Sequence, residues 1–137
     1  MLGALWRNGV QGMSGNPIRY EAVATGDAGY LCVTAHGDFA IGGILRMIEA
    51  IAADSERQGC HKILIDVTAL TGYPSTVEQF EIARATAERL QRKRVAVLVS
   101  TPTTVREGFG DTVAINRGGV VQSFNVESEA LAWLLSA

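Results

Sequence analysis

Residues 62–92 constrain the fold more than any other stretch of this chain. Lys62-Ile63-Leu64-Ile65-Asp66-Val67 is a short apolar run rich in β-branched residues, the pattern of a strand buried on both faces. Thr68 to Pro74 is polar and turn-prone, and Ser75-Thr76-Val77-Glu78 then supplies a capping box. In such a box the Ser75 hydroxyl accepts the amide of Glu78, and the Glu78 carboxylate reaches back to the amide of Ser75. Helical spacing follows to about Arg92, with Val77, Phe80, Ala83, Ala87 and Leu90 on one face and Glu88 four residues before Arg92 on the other. A strand, a loop and a capped amphipathic helix in this order predict one half of a parallel βαβ unit.

The rest of the chain repeats that logic. Ile18 to Ala24 alternates polar and apolar residues as an edge strand does, Thr25 to Gly29 is turn chemistry, and Tyr30 to Ala35 resumes as a strand. The two predict an antiparallel hairpin. Asp38 is the expected N-cap of a helix whose stripe is Ile41, Ile44, Leu45, Ile48, Ile51 and Ala52, with Gly59 as its C-terminal cap. Gly42 and Gly43 weaken its first turns, and suit either close packing or flexibility there. Arg94 to Ser100 reads as another buried strand, and Thr101 to Thr104 as a polar loop. Thr104-Val105-Arg106-Glu107 is a second capping box, opening a helix that carries Val105, Phe109 and Val113 and stops before Gly118-Gly119. Val120 to Phe124 is the last strand, and Asn125 is the expected cap of a final helix bearing Ala130, Leu131, Trp133, Leu134 and Leu135, with Trp133 as its core anchor. The order is β-β-α-β-α-β-α-β-α: an α/β protein with a mixed, mostly parallel sheet of about five strands and four helices.

With 137 residues the chain is read as one domain over 18–137, preceded by an N-terminal extension over 1–17. Residues 1–12 lack the charged start and sustained apolar core of a signal peptide, and Met13 is a second plausible start. A net charge of −2 supplies no field for nucleic acid, and no apolar run approaches a membrane span. Two cysteines, Cys32 and Cys60, suggest no disulfide framework and fit a cytoplasmic location.

The Asp66-to-Thr76 stretch resembles the STAS or SpoIIAA-like superfamily of bacterial regulatory domains, and the resemblance covers about residues 18–137. In anti-sigma-factor antagonists of that family the third strand ends in an aspartate-led loop that runs to a phosphorylatable serine at the start of the second helix. The resemblance puts Ser75 at that position, although Pro74 stands where the antagonists carry aspartate and Val77 stands near their glycine. Phe124-Asn125-Val126-Glu127-Ser128-Glu129-Ala130-Leu131-Ala132-Trp133-Leu134 is similar to the ends of small STAS/Sec14-like bacterial proteins. The resemblance implies a SpoIIAA-like fold and a non-enzymatic module that binds a protein partner or itself, with the Asp66–Thr76 loop and the second helix as the contact. It also implies two alternatives, a Sec14-like carrier of a small apolar or anionic ligand and an antagonist switched at Ser75.

Ligands of open parallel sheets gather at the carboxyl ends of the strands. The candidate residues there are Asp66, Thr68, Ser75 and Thr76, and an anion loop of Ser100, Thr101, Thr103 and Thr104, alongside His36-Gly37-Asp38. The same hydroxyls serve equally as ordinary helix caps. Cys32 with His36, and Cys60 with His61, show no metal-ligand spacing, and neighbours in an extended segment point opposite ways. Asp66 with His36 is the one acid–base pair worth testing. Gly108-Phe109-Gly110 lies within a helical pattern and is no dinucleotide fingerprint. Arg84, Arg89, Arg92, Lys93 and Arg94, interleaved with Glu81 and Glu88, read as a solvated face. No catalytic set, metal site or cofactor is expected.

Overall fold

The computed structural model describes residues 16–27, 29–100 and 120–136. The strands are β1 (Arg19–Thr25), β2 (Tyr30–Asp38), β3 (Lys62–Thr71), β4 (Arg94–Leu98) and β5 (Val120–Phe124). The helices among the described residues are α1 (Ile41–Gln58), α2 (Thr76–Arg89) and α3 (Glu127–Leu135). The strands lie in sequence order, β1-β2-β3-β4-β5; β1 pairs antiparallel with β2 and the other pairs are parallel. The hairpin and the α/β order are as the sequence predicts. The expected helix with Val105, Phe109 and Val113, its capping box, Gly108, Gly110, Gly118, Gly119 and the segment 1–12 lie outside the described residues.

Alternation along the strands divides the core. Leu31, Val33 and Ala35 of β2, Ile63 and Ile65 of β3, and Val95 of β4 meet Ile44, Met47, Ile48 and Ile51 of α1 and Leu90 beyond α2. Leu64 and Ala96, on the other face, meet Ala130 and Leu134 of α3. β3 is therefore covered on both sides, which is why its sequence shows a continuous apolar run. No described helix is long and apolar enough to cross a membrane.

Several local expectations are corrected. β2 runs through Asp38, so Asp38 does not cap α1. The chain stays extended through Ala40, which has no side-chain cap. The Asp38 carboxylate instead accepts the Asn16 amide at 2.9 Å, and the Phe39 amide continues the ladder to the Thr71 carbonyl at 2.8 Å. Gly37 makes this possible, because at φ 122° a Cβ would stand 2.3 Å from the Pro17 carbonyl oxygen. At Gly43 close packing is the outcome, with Ile18 against it. β3 likewise continues to Thr71, past a register shift opposite Thr34 and His36, where the sequence suggested a loop from Thr68. Asn125 donates to the Val99 carbonyl at 3.3 Å rather than capping α3, whose N-cap is Val126.

At the chain's basic segment, α2 ends at Arg89 rather than Arg92, and Arg92 takes a left-handed φ of 64°. Lys93 is 6% exposed and Arg94 is half-buried, so the solvated-face reading fails for both. The Arg94 guanidinium lies 3.8 Å from the centre of the Trp133 ring and donates through Nε and Nη2 to the Trp133 carbonyl, at 3.1 and 2.8 Å. Trp133 in turn packs on Phe124, with ring centres 5.6 Å apart. One planar cation thus satisfies a helix-terminal carbonyl and covers an indole face, tying β4 to α3. Gly59, in the left-handed conformation at φ 68°, ends α1 as expected.

Arg94→Lys should lower stability by about 1–2 kcal/mol, because a point-charge ammonium cannot reproduce the paired bonds and the stacking. Leu134→Ala should cost about 2–5 kcal/mol by emptying a fully buried position beneath the same helix. Urea unfolding followed by far-ultraviolet circular dichroism measures both.

Candidate functional site

The exposed turn between β3 and α2 builds the candidate site. Pro74 leads to Ser75, whose φ and ψ of −72° and 172° set an extended N-cap ahead of the helix. The capping box forms as expected: the Glu78 amide donates to Ser75 Oγ at 3.2 Å, and the Ser75 amide donates to Glu78 Oε1 at 2.9 Å. The Ser75 carbonyl accepts the Gln79 amide at 2.8 Å, starting the helical ladder. These bonds occupy amides of the first turn, and Glu78 already supplies a negative charge at the positive helix end. Ser75 and Thr76 are both exposed.

Asp66 and Thr68 form a separate local pair. Asp66 Oδ1 accepts the Thr68 amide at 2.9 Å and the Thr68 hydroxyl at 2.7 Å. Asp66 stands beside Thr34 and Leu98 in the sheet, in step with Leu64 and therefore on the α3 side. Ser75 begins the helix that covers the opposite side. Ser100 is exposed, while Thr101, Thr103 and Thr104 lie outside the described residues.

Sequence periodicity missed what surrounds Ser75. Val77 and Phe80, expected on the buried face of α2, are 70% and 36% exposed, and Tyr73 just before them is 66% exposed. Only Ala83, Ala87 and Leu90 of that stripe are buried. The first two turns of α2 present their part of the stripe to solvent. The Arg84 guanidinium lies 5.9 Å from the centre of the Phe80 ring, extending this surface by one turn. Helical spacing marks an apolar face; it does not say how far along the helix the sheet reaches.

The remaining candidates stay apart. His36 lies across from Arg19 and Ala69, whereas Asp66 is engaged by Thr68, so the acid–base pair gains no hydrogen-bonded geometry. Burial raises the Cys32 thiol above its ordinary value, and the charges of Glu127 and Asp66 add to the rise, so the thiol is protonated at neutral pH. Cys60 is buried and His61 exposed, which separates that pair. Among the described residues no group of three His, Cys, Asp or Glu side chains is placed to hold a metal.

A polar cleft of about 460 Å³ opens at the other end of the sheet, lined by Glu56, His61, Glu88, Arg89, Gln91, Arg92 and Lys93. The C-termini of α1 and α2 converge there and favour cations. Lys93 Nζ donates to Glu56 Oε2 at 3.0 Å and to the Cys60 carbonyl at 3.3 Å. The hydrogen bond and charge of Lys93 hold the exposed Glu56 carboxyl below its usual range. A lowered carboxyl pKa stabilises the fold above the unfolded pKa, and that contribution fades as pH falls through the folded value. Glu56→Gln should therefore lower the urea midpoint at pH 7, with the gap to the parent protein closing as pH falls below the ordinary carboxylate range.

No protein-family model matches the chain, and no curated protein matches it. Solved structures do. An anti-sigma factor antagonist from Mycobacterium paratuberculosis superposes with a TM-score of 0.58 at 21% identity, covering 85% of this chain and 93% of that one. An uncharacterised DUF3478-family protein from Shewanella loihica, with a SpoIIAA-like fold, gives a TM-score of 0.51 at 19% identity, covering 87% and 94%. Strand order, the one antiparallel pair among the described residues and these superpositions together show that the chain has a SpoIIAA-like fold.

Proposed function

We propose that this chain is a non-enzymatic regulatory module that docks a protein partner on the β3–α2 turn and the first turns of α2. The observation that carries the reading is the exposed apolar series Tyr73, Val77 and Phe80, gathered around an ordered helix cap. Exposed large apolar side chains on a rigid helix start give a partner area to bury with little ordering cost. The anti-sigma factor antagonist among the structural neighbours supports a protein as the partner class.

Val77 is 70% exposed, so Val77→Asp should change folding stability by no more than about 0.5 kcal/mol, whereas Phe80→Asp also removes a ring that is 36% exposed and contacts Arg84, and should cost more. Both variants should lose the proteins that cross-link to the parent chain in extracts of its source cells. Identical cross-linked sets from parent and variants would overturn this docking face.

A second reading, docking controlled by phosphorylation, rests on Ser75 standing exposed between Tyr73 and Val77. A phosphate there would face the Glu78 carboxylate that now holds the Ser75 amide, so modification would rebuild the cap as well as add charge. Ser75→Ala should cost about 1 kcal/mol of stability while keeping the partner, and Ser75→Asp should keep the cap while losing the partner. Partner capture by Ser75→Asp equal to that of the parent would remove the switch.

A further inference from the structure

The sheet has an edge that the docking face does not use. β1 pairs with β2 on one side, and among the described residues no strand lies against its other side. Such an edge presents a row of backbone donors and acceptors, and proteins usually protect it with lysine, proline, a bulge or a covering element. The seven residues of β1, Arg-Tyr-Glu-Ala-Val-Ala-Thr, contain neither lysine nor proline, and they keep an unbroken register with β2.

The side chains of β1 sort cleanly between the faces. Tyr20, Ala22 and Ala24 point into the core under α1. Arg19, Glu21 and Val23 alternate with them and lie on the face that carries α3. The contacts of α3 run to β3, β4 and β5, so Glu21 is exposed there and Val23 is 60% exposed.

We propose that β1 is a self-association edge, pairing antiparallel with β1 of a second copy about a two-fold axis at Tyr20. That register sets Arg19 of each copy opposite Glu21 of the other. The axis joins two opposite-charge pairs. Moving the axis to Glu21 would oppose two glutamates instead, which charge repulsion disfavours, so the ion pairs select the register. Arg19 is already engaged within its own chain; a guanidinium has five donors, so it can take the second acceptor as well. β1 is two strands away from β3 in the sheet, which leaves the α2 docking face free in the dimer.

An interface of one strand pair is smaller than the roughly 1,200–2,000 Å² of stable complexes, so the association is weak and concentration-dependent. Sedimentation velocity of the full chain across a concentration series from about 10 µM to 1 mM, a span that brackets weak interfaces, should show a monomer–dimer shift. Glu21→Arg, at an exposed position, places like charges across the axis and should weaken dimerisation at least tenfold. Val23→Lys should do the same by blunting the edge. Arg19→Glu combined with Glu21→Arg restores opposite charges across the axis and should recover the dimer. Hydrogen–deuterium exchange should show β1 amides gaining protection with concentration in the parent and not in Glu21→Arg. A parent chain that is monomeric throughout, or a dimer unaffected by both Glu21→Arg and Val23→Lys, would overturn the proposal. A dimer lost only in Val77→Asp would overturn it too, by moving self-association to α2.

Discussion

Strand β3 is buried from both sides, by α1 and α2 through Ile63 and Ile65 and by α3 through Leu64. Everything else in the fold depends on that double cover. A strand with two wet faces would be content with a hairpin, whereas one with two apolar faces needs helices above and below, and hence the crossovers that carry the chain between parallel neighbours. Fully burying one such side chain contributes about 1.5–3 kcal/mol, so the central strands hold a large share of the stability.

The two layers are unequal, and the function we propose follows from the inequality. α1 lies along the sheet and buries a full stripe, Ile44 to Ile51. α2 buries only its second half, at Ala83, Thr86 and Ala87. The capping box keeps those turns ordered without core contacts, since Ser75 and Glu78 satisfy each other's amides. An apolar surface can therefore remain outside the core and still have a fixed shape, the condition a docking surface must meet.

Charged groups act at the opposite end of the molecule. Lys93 and Arg94 follow one another in sequence but serve different faces, Lys93 reaching the end of α1 and Arg94 the end of α3. Each offers a cation to a carbonyl at or just past a helix C-terminus, Cys60 beyond α1 and Trp133 in the last turn of α3. This is a structural use of charge, and it explains a cleft rich in titratable groups at the end of the sheet away from the candidate docking turn.

Much of the architecture was legible in the sequence because it rests on local rules. The period of two in residues 18–24, the apolar runs at 62–67 and 94–100, the stripe at Ile44, Ile48 and Ile51, the Ser75–Glu78 box and the Gly59 cap each follow from side-chain pattern or backbone preference alone. So did the place of Ser75 at a helix start. What sequence could not supply was extent and partner. Asp38 looks like a cap, yet a sheet that continues through Gly37 and Thr71 takes it into a strand. Val77 and Phe80 look buried by their spacing, yet the folded chain leaves them exposed. Arg94 looks solvated until Trp133, 39 residues later, returns to its side. Periodicity records which residues share a face; only the packed chain decides how far each face is covered, because coverage is set by segments distant in sequence.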